Sequence, residues 1–322
     1  MRTMIENECH SMFAGHIWGW YFRHKRSLPW RDVQITDDTQ RAYMVLVSEV
    51  MLQQTQVPRV EVIFKRFLRE FPTLADLARA SNRDVILAWR GMGYNARALR
   101  LRDAARTVIE KFDGAFPRDV TSLRSINGIG PYTAAAILNF AFNIPTPCID
   151  TNIRRIIHRV FTGPEKRDGT WKKNDRILMR TVHVVLRHAM NHRKEHDARN
   201  WSAALMDFGS LVCTKRAPRC DVCPLRSSCR SAGKVTITLQ ATKTKEPGRE
   251  IAGRFVPNRI IRGRIVEFLR DHHLGASINN IGAHACIDWD AKGHGRWLQQ
   301  LLEKLQRDGM VSEKKGAWKL AD

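Results

Sequence analysis

Apolar residues spaced three or four apart run through most of the first 230 residues, and few folds satisfy that pattern. RAYMVLVSEVMLQQT (41–55), VEVIFKRFLREF (60–71), NARALRLRDAARTVIEKF (95–112) and NIRRIIHRVF (152–161) each have the period of a helix that buries one face. No alternating β-type run interrupts them, so the expected fold class is all-α. One break is unusually tight. In NGIGPYTAAA (127–136), Gly128 suits a left-handed C-terminal cap, Gly130 adds a second permissive position, and Pro131 suits the first turn of a new helix. That sequence predicts a helix-hairpin-helix whose second helix points its first N–H groups at an anion such as a phosphate, although a plain tight turn has the same signature.

Charge favours the anion. The 322 residues carry 54 Lys+Arg against 32 Asp+Glu, a net charge of +22. Such an excess opposes compaction unless a polyanion is the partner, which puts nucleic acid first and an anionic membrane surface second. No apolar run has membrane-spanning length, and the start of the chain carries an acidic pair rather than a basic segment before an apolar core, so a soluble cytoplasmic, nucleoid-associated monomer is expected. Length suggests two or three domains.

Of seven cysteines, Cys213, Cys220, Cys223 and Cys229 form C-x6-C-x2-C-x5-C. Four thiols so close together in a cytoplasmic chain indicate a metal centre, with zinc and a [4Fe-4S] cluster both open on spacing alone. Residues 236–258 are polar, basic and aperiodic, and are expected to be a linker. After them, RIIRGRIVEFLRDHH and HGRWLQQLLEKLQRDGMV are amphipathic helices, and VSEKKGAWKLA looks like two short strands about a Lys-Lys-Gly turn. Residues 259–322 are therefore expected to form a small winged-helix-like domain.

SLPWRD, SEVMLQQTQV, RGMGYNARALRL, INGIGPYTAAA, CIDTN, MDFGSLVC and the cysteine loop occur in the order found in helix-hairpin-helix DNA glycosylases, and SEVMLQQTQV is similar to the adenine glycosylases of the MutY type. The resemblance covers roughly residues 10 to 235. It implies a two-lobed HhH-GPD glycosylase domain over 1–235, with a [4Fe-4S] loop at 212–230 whose Lys215, Arg216 and Arg219 face DNA phosphates. It also implies a mismatched or damaged base in double-stranded DNA as the target.

Cleaving an N-glycosidic bond needs a proton for the departing base and negative charge beside the sugar. Glu49 lies in the apolar helix VLVSEVMLQQ, where desolvation would raise its pKa and keep it protonated to serve N7 of adenine; a helix-surface glutamate is the bland alternative. Asp150 suits the N-cap of the helix it precedes, and backbone N–H groups there would hold it ionised beside a developing oxocarbenium ion. Related bifunctional enzymes carry a lysine where Tyr132 stands, and a phenol cannot form their imine, so a monofunctional enzyme is implied. The resemblance makes Arg31 and Asn152 polar active-site residues and lays Trp30 against the flipped base. It also sends Gln53 and Gln54 into the stack, wedges Tyr94 at the orphan base, and gives Gly128, Gly130 and Thr133 a phosphate.

The chain departs from the family in several places. DVQITDDTQRA is longer than the usual loop, Met92 replaces a leucine, Thr151 replaces a glycine, and nothing after residue 240 resembles a Nudix-like reader of 8-oxoguanine. Three functions follow: adenine excision opposite 8-oxoguanine or guanine; excision of T or U opposite G, or of a deaminated purine; and DNA binding without catalysis.

Overall fold

The computed structural model describes residues 2–32, 35–190, 196–235 and 246–322. The chain divides into two compact units, Met1–Leu46 with Phe116–Thr242 and Val47–Ala115 with Lys243–Asp322. Helix α2 (Asp38–Leu52) runs across the first boundary.

The first unit holds α1 (Arg2–His24), α7 (Val120–Arg124), α8 (Pro131–Phe140), α9 (Thr151–Phe161), α10 (Asp175–Met190) and α11 (Ala198–Leu211). Its core gathers Phe13, Ile17 and Trp18 of α1 with Ile156 of α9, Val185 of α10, and Trp201 and Phe208 of α11. Aspartates start three of these helices: Asp119 accepts from Ser122 N at 2.8 Å, Asp150 from Ile153 N at 2.6 Å and Asp197 from Asn200 N at 2.7 Å. Each side chain satisfies an N–H that the first turn leaves without an internal partner.

The second unit holds α3 (Val57–Glu70), α4 (Leu74–Arg79), α5 (Asn82–Ala88) and α6 (Ala96–Lys111). From the later segment it adds β1 (Gly248–Ile251), β2 (Arg254–Pro257), α12 (Asn258–Arg270), α13 (Ile278–Ala285), α14 (Ala291–Arg307), β3 (Val311–Lys314) and β4 (Ala317–Leu320). Three helices followed by the antiparallel β3–β4 pair, in register Val311 to Leu320 and Lys314 to Ala317, give the expected winged-helix order with Lys315 and Gly316 at the wing tip.

One expectation for this region is corrected. Residues 236–245 of the supposed linker lie outside the described residues, but 248–257 form a hairpin rather than a connector. A Cβ on Gly248 would meet Val256 O at 2.4 Å, so glycine is required for the strands to close. The arginines of α12 are mostly spent within the protein. Arg262 pairs with Asp308, Arg264 donates to Ala285 O at 2.9 Å, and Arg270 is buried, donating to Ile86 O at 3.0 Å and Asn95 Oδ1 at 3.1 Å. With Asn82 Nδ2 donating to Gly309 O at 2.6 Å and Arg90 paired to Asp271 at 2.6 Å, these contacts dock the winged helix on α5 and α6.

Candidate active site and cysteine loop

The hairpin is built as expected. Gly128 has φ +92°, a left-handed backbone that side chains resist, and Gly130 is the N-cap of α8, which starts at Pro131. The first-turn N–H groups are thus presented for an anion. Thr133, in the same first turn, is buried at 5 % exposure. Tyr132 is half-buried against the core of the first unit.

Asp150 is held from two sides. Ile153 N donates to one carboxylate oxygen at 2.6 Å and Asn152 Nδ2 to the other at 3.1 Å. Asn152 is oriented in turn by Arg155, whose Nη2 donates to Asn152 Oδ1 and to Gly209 O, each at 2.7 Å, while its Nε donates to Cys213 O at 2.6 Å. Gly209 leaves the room: a Cβ there would lie 2.7 Å from Asn152 Cβ. Donors to both oxygens fix the orientation of the carboxylate.

Arg31 faces a residue that the sequence did not single out. Its Nη1 donates at 2.8 Å to Asp207 of α11, a fully buried carboxylate that also takes Arg26 Nε at 2.8 Å and Arg26 N at 3.0 Å. Two guanidiniums compensate the buried charge and tie the SLPWRD loop, with half-buried Trp30, to α11.

Below α9 lies the cysteine loop. Cys213, Cys220, Cys223 and Cys229 are unlinked by disulfides and line a recess of about 400 Å³, counting its open mouth. Buried Arg159 holds the loop, donating to Thr214 O at 2.6 Å, Lys215 O at 2.9 Å and Cys213 Sγ at 3.7 Å, and pairing with Glu165 at 2.8 Å. Burial pushes the Cys213, Cys223 and Cys229 thiols up, Cys223 to about 11, so thiolates are tolerable there only beside compensating positive charge. No three His, Cys, Asp or Glu among the described residues are placed for a single metal ion. Four thiols about one recess are a donor set for zinc or for an iron–sulfur core. Lys215, Arg216 and Arg219 are exposed on the loop.

In the second unit Glu49 is half-buried on α2 between buried Ser48 and Val50. Beyond the helix Gln53 and Gln54 are exposed, Gln54 with φ +59°. The GMGY loop turns on Gly91 (φ +93°) and Gly93 (φ +67°) and displays Tyr94, itself at φ +47° and 52 % exposed. One buried side chain joins the two turns: Arg97 donates to Val50 O at 2.9 Å, Met92 O at 3.2 Å, Gly93 O at 3.3 Å and to Gln53 O, with Tyr94 and Trp89 rings each 5.6 Å from its guanidinium. Burial lowers its pKa, yet six carbonyl and hydroxyl acceptors leave it a charged clamp. Neither Arg97 nor Asp207 announces itself in sequence, because periodicity assigns charged residues to the surface.

The profile of HhH-GPD superfamily base excision DNA repair proteins matches residues 47–181. The adenine DNA glycosylase of Mycolicibacterium smegmatis is 36% identical over 254 residues, 78% of each chain. That of Mycobacterium tuberculosis is 34% identical over 290 residues, 89% of this chain and 87% of that one, and the human enzyme is 36% identical over 226 residues, 69% and 40%. Among solved structures, a thermostable thymine-DNA glycosylase superposes with TM-score 0.60 at 24% identity, over 71% of this chain and 98% of that one. A non-covalent endonuclease III–DNA complex gives 0.53 at 21%, over 69% and 94%. The structural likenesses carry the fold and the sequence likenesses carry the lineage: the chain belongs to the adenine DNA glycosylase family of the HhH-GPD superfamily.

Proposed function

We propose that the protein is a monofunctional DNA glycosylase that hydrolyses the N-glycosidic bond of adenine mispaired with 8-oxoguanine or guanine in double-stranded DNA. The observation that carries this is Asp150, fixed by Ile153 N–H and the Asn152 amide with both oxygens occupied as acceptors. A carboxylate so positioned stabilises the sugar as it becomes cationic. Glu49 gives its proton to N7 of adenine, the base departs, and water adds to the sugar, leaving an abasic site. Tyr132 offers no amine, so the strand is not cut. Gln53, Gln54 and Tyr94 fill the gap left by the flipped base, with Trp30 against that base. Arg31 acts by fixing the Trp30 loop on Asp207. The hairpin grips a phosphate through N–H groups at Gly130 and the first turn of α8, with Gly128 shaping the turn. The net charge of +22 supplies the general attraction to DNA.

We further propose a [4Fe-4S] cluster on Cys213, Cys220, Cys223 and Cys229. Bound there, it supplies positive charge for four thiolates and fixes the loop that carries Lys215, Arg216 and Arg219 toward DNA.

Labelled duplexes, each with one candidate mismatch and treated with alkali after incubation, test the target. Cleavage at adenine opposite 8-oxoguanine or guanine is expected, and cleavage only at T or U opposite G, or none at all, would overturn the reading. Glu49→Gln should bind within a few fold of wild type and lose at least about a hundredfold in single-turnover cleavage.

A further inference from the structure

The C-terminal segment does not trail from the second unit; it is built into it. Arg270 closes one end of α12 onto Ile86 and Asn95, and Asn95 follows Tyr94 directly in the chain. At the other end of α12, Arg259 reaches the Tyr94 phenol. Arg259 is half-exposed, and the anion it holds is the equally exposed Glu246, with Nε to Oε2 at 2.9 Å. An ion pair this open to water contributes little and exchanges readily for a better acceptor. Phosphate is that acceptor, because the guanidinium fork matches its oxygens. The docked neighbours in α12 have no such freedom, since Arg262, Arg264 and Arg270 are committed within the protein.

We propose that Arg259 takes a backbone phosphate of the strand opposite the excised base, beside the point where Tyr94 enters the duplex, releasing Glu246 as it does so. The winged-helix domain thereby becomes a rigid part of the opposite-strand grip, and Arg259 is a DNA-contacting residue outside the glycosylase lobe. This rests on the assignment of Tyr94 to the orphan base.

The test uses the full-length protein and duplexes carrying a stable abasic analogue, so that binding is read whichever base the enzyme excises. Arg259→Ala should bind about tenfold more weakly, the scale of one charge-assisted hydrogen bond, and its log–log salt slope should fall by about 0.9. Glu246→Gln should bind severalfold more tightly, because the guanidinium is released in advance; weaker binding would overturn the exchange. Neutral methylphosphonates are then placed singly on each strand. One position within two nucleotides of the orphan base, on the opposite strand, should cost wild type about tenfold and Arg259→Ala nothing. Coupling to the abasic strand, or equal losses in both proteins at every position, would overturn the proposal. Adenine excision by wild type is scored separately. Excision without the strand coupling sinks this inference alone, and coupling without excision sinks the adenine reading alone.

Discussion

Asp150 shows how little of a candidate catalytic carboxylate's setting is its own. Its N-cap role was legible in CIDTN, since an aspartate before NIRRIIHRVF has few better uses, but the geometry that matters is completed by Gly209, more than fifty residues on. Inside a helix, glycine to alanine ordinarily stabilises by about 1 kcal/mol. Here the added Cβ would sit 2.7 Å from Asn152 Cβ and push the amide away from Asp150. Gly209→Ala should therefore lower single-turnover cleavage by about tenfold or more while duplex binding changes little, as misplacements of an ångström do at reacting centres. Pre-steady-state cleavage beside a binding titration checks it, and unchanged cleavage would show that the Asn152 contact is dispensable.

At the scale of elements, α9 carries both the site and the support of the cysteine loop. Glu165 is the buried partner of Arg159, each side chain 2 % exposed. Removing one charge of such a pair strands the other, at about 3–5 kcal/mol, so Glu165→Gln should lower the melting temperature and shed the visible absorbance of the proposed cluster on mild heating before the helices unfold. On the same helix His158 is fully buried, with Nδ1 donating to Gly163 O at 2.9 Å and Nε2 accepting from Lys172 N at 3.1 Å. Burial holds its pKa below the ordinary 6.5. The unfolded chain then binds the proton more readily, so this contribution to stability is present above about pH 6.5 and is lost as pH falls below it. Melting temperatures between pH 8 and 5 should drop for wild type and flatten in His158→Asn. The sequence made the elements themselves legible where local chemistry decides them. Gly128 and Gly130 with Pro131 specify the hairpin, and Lys315 with Gly316 specify the wing. The hairpin at 248–257 escaped because EIAGRF lacks a strong turn dipeptide and its strands are four residues each. Arg97, Arg155 and Arg159 escaped because their acceptors are carbonyls supplied by distant turns, as when Arg97 meets Val50 O 47 positions away.

At the scale of the molecule, the unexpected fact is that the later segment from Lys243 belongs with Val47–Ala115. Arg270 is the bolt. Arg270→Ala should cost roughly 1.5–3 kcal/mol through its lost hydrogen bonds and leave Asn95 without its partner. Hydrogen exchange should quicken in α12 and in the Tyr94 loop together; faster exchange in α12 alone would mean that the two do not stabilise one another. Both units are discontinuous in sequence, and this has a consequence for synthesis. Helix α1 offers Phe13, Ile17 and Trp18 to a core completed by α10 and α11, the first of which begins about 150 residues after α1 ends. At roughly 5–20 residues per second a ribosome needs about 8–30 s to make that stretch. The second unit likewise begins at Val47 and waits for strands beyond Lys243. Two half-built cores thus coexist on the nascent chain, which makes translation speed and holding chaperones, more than intrinsic folding rate, the governors of how much active protein a cell obtains.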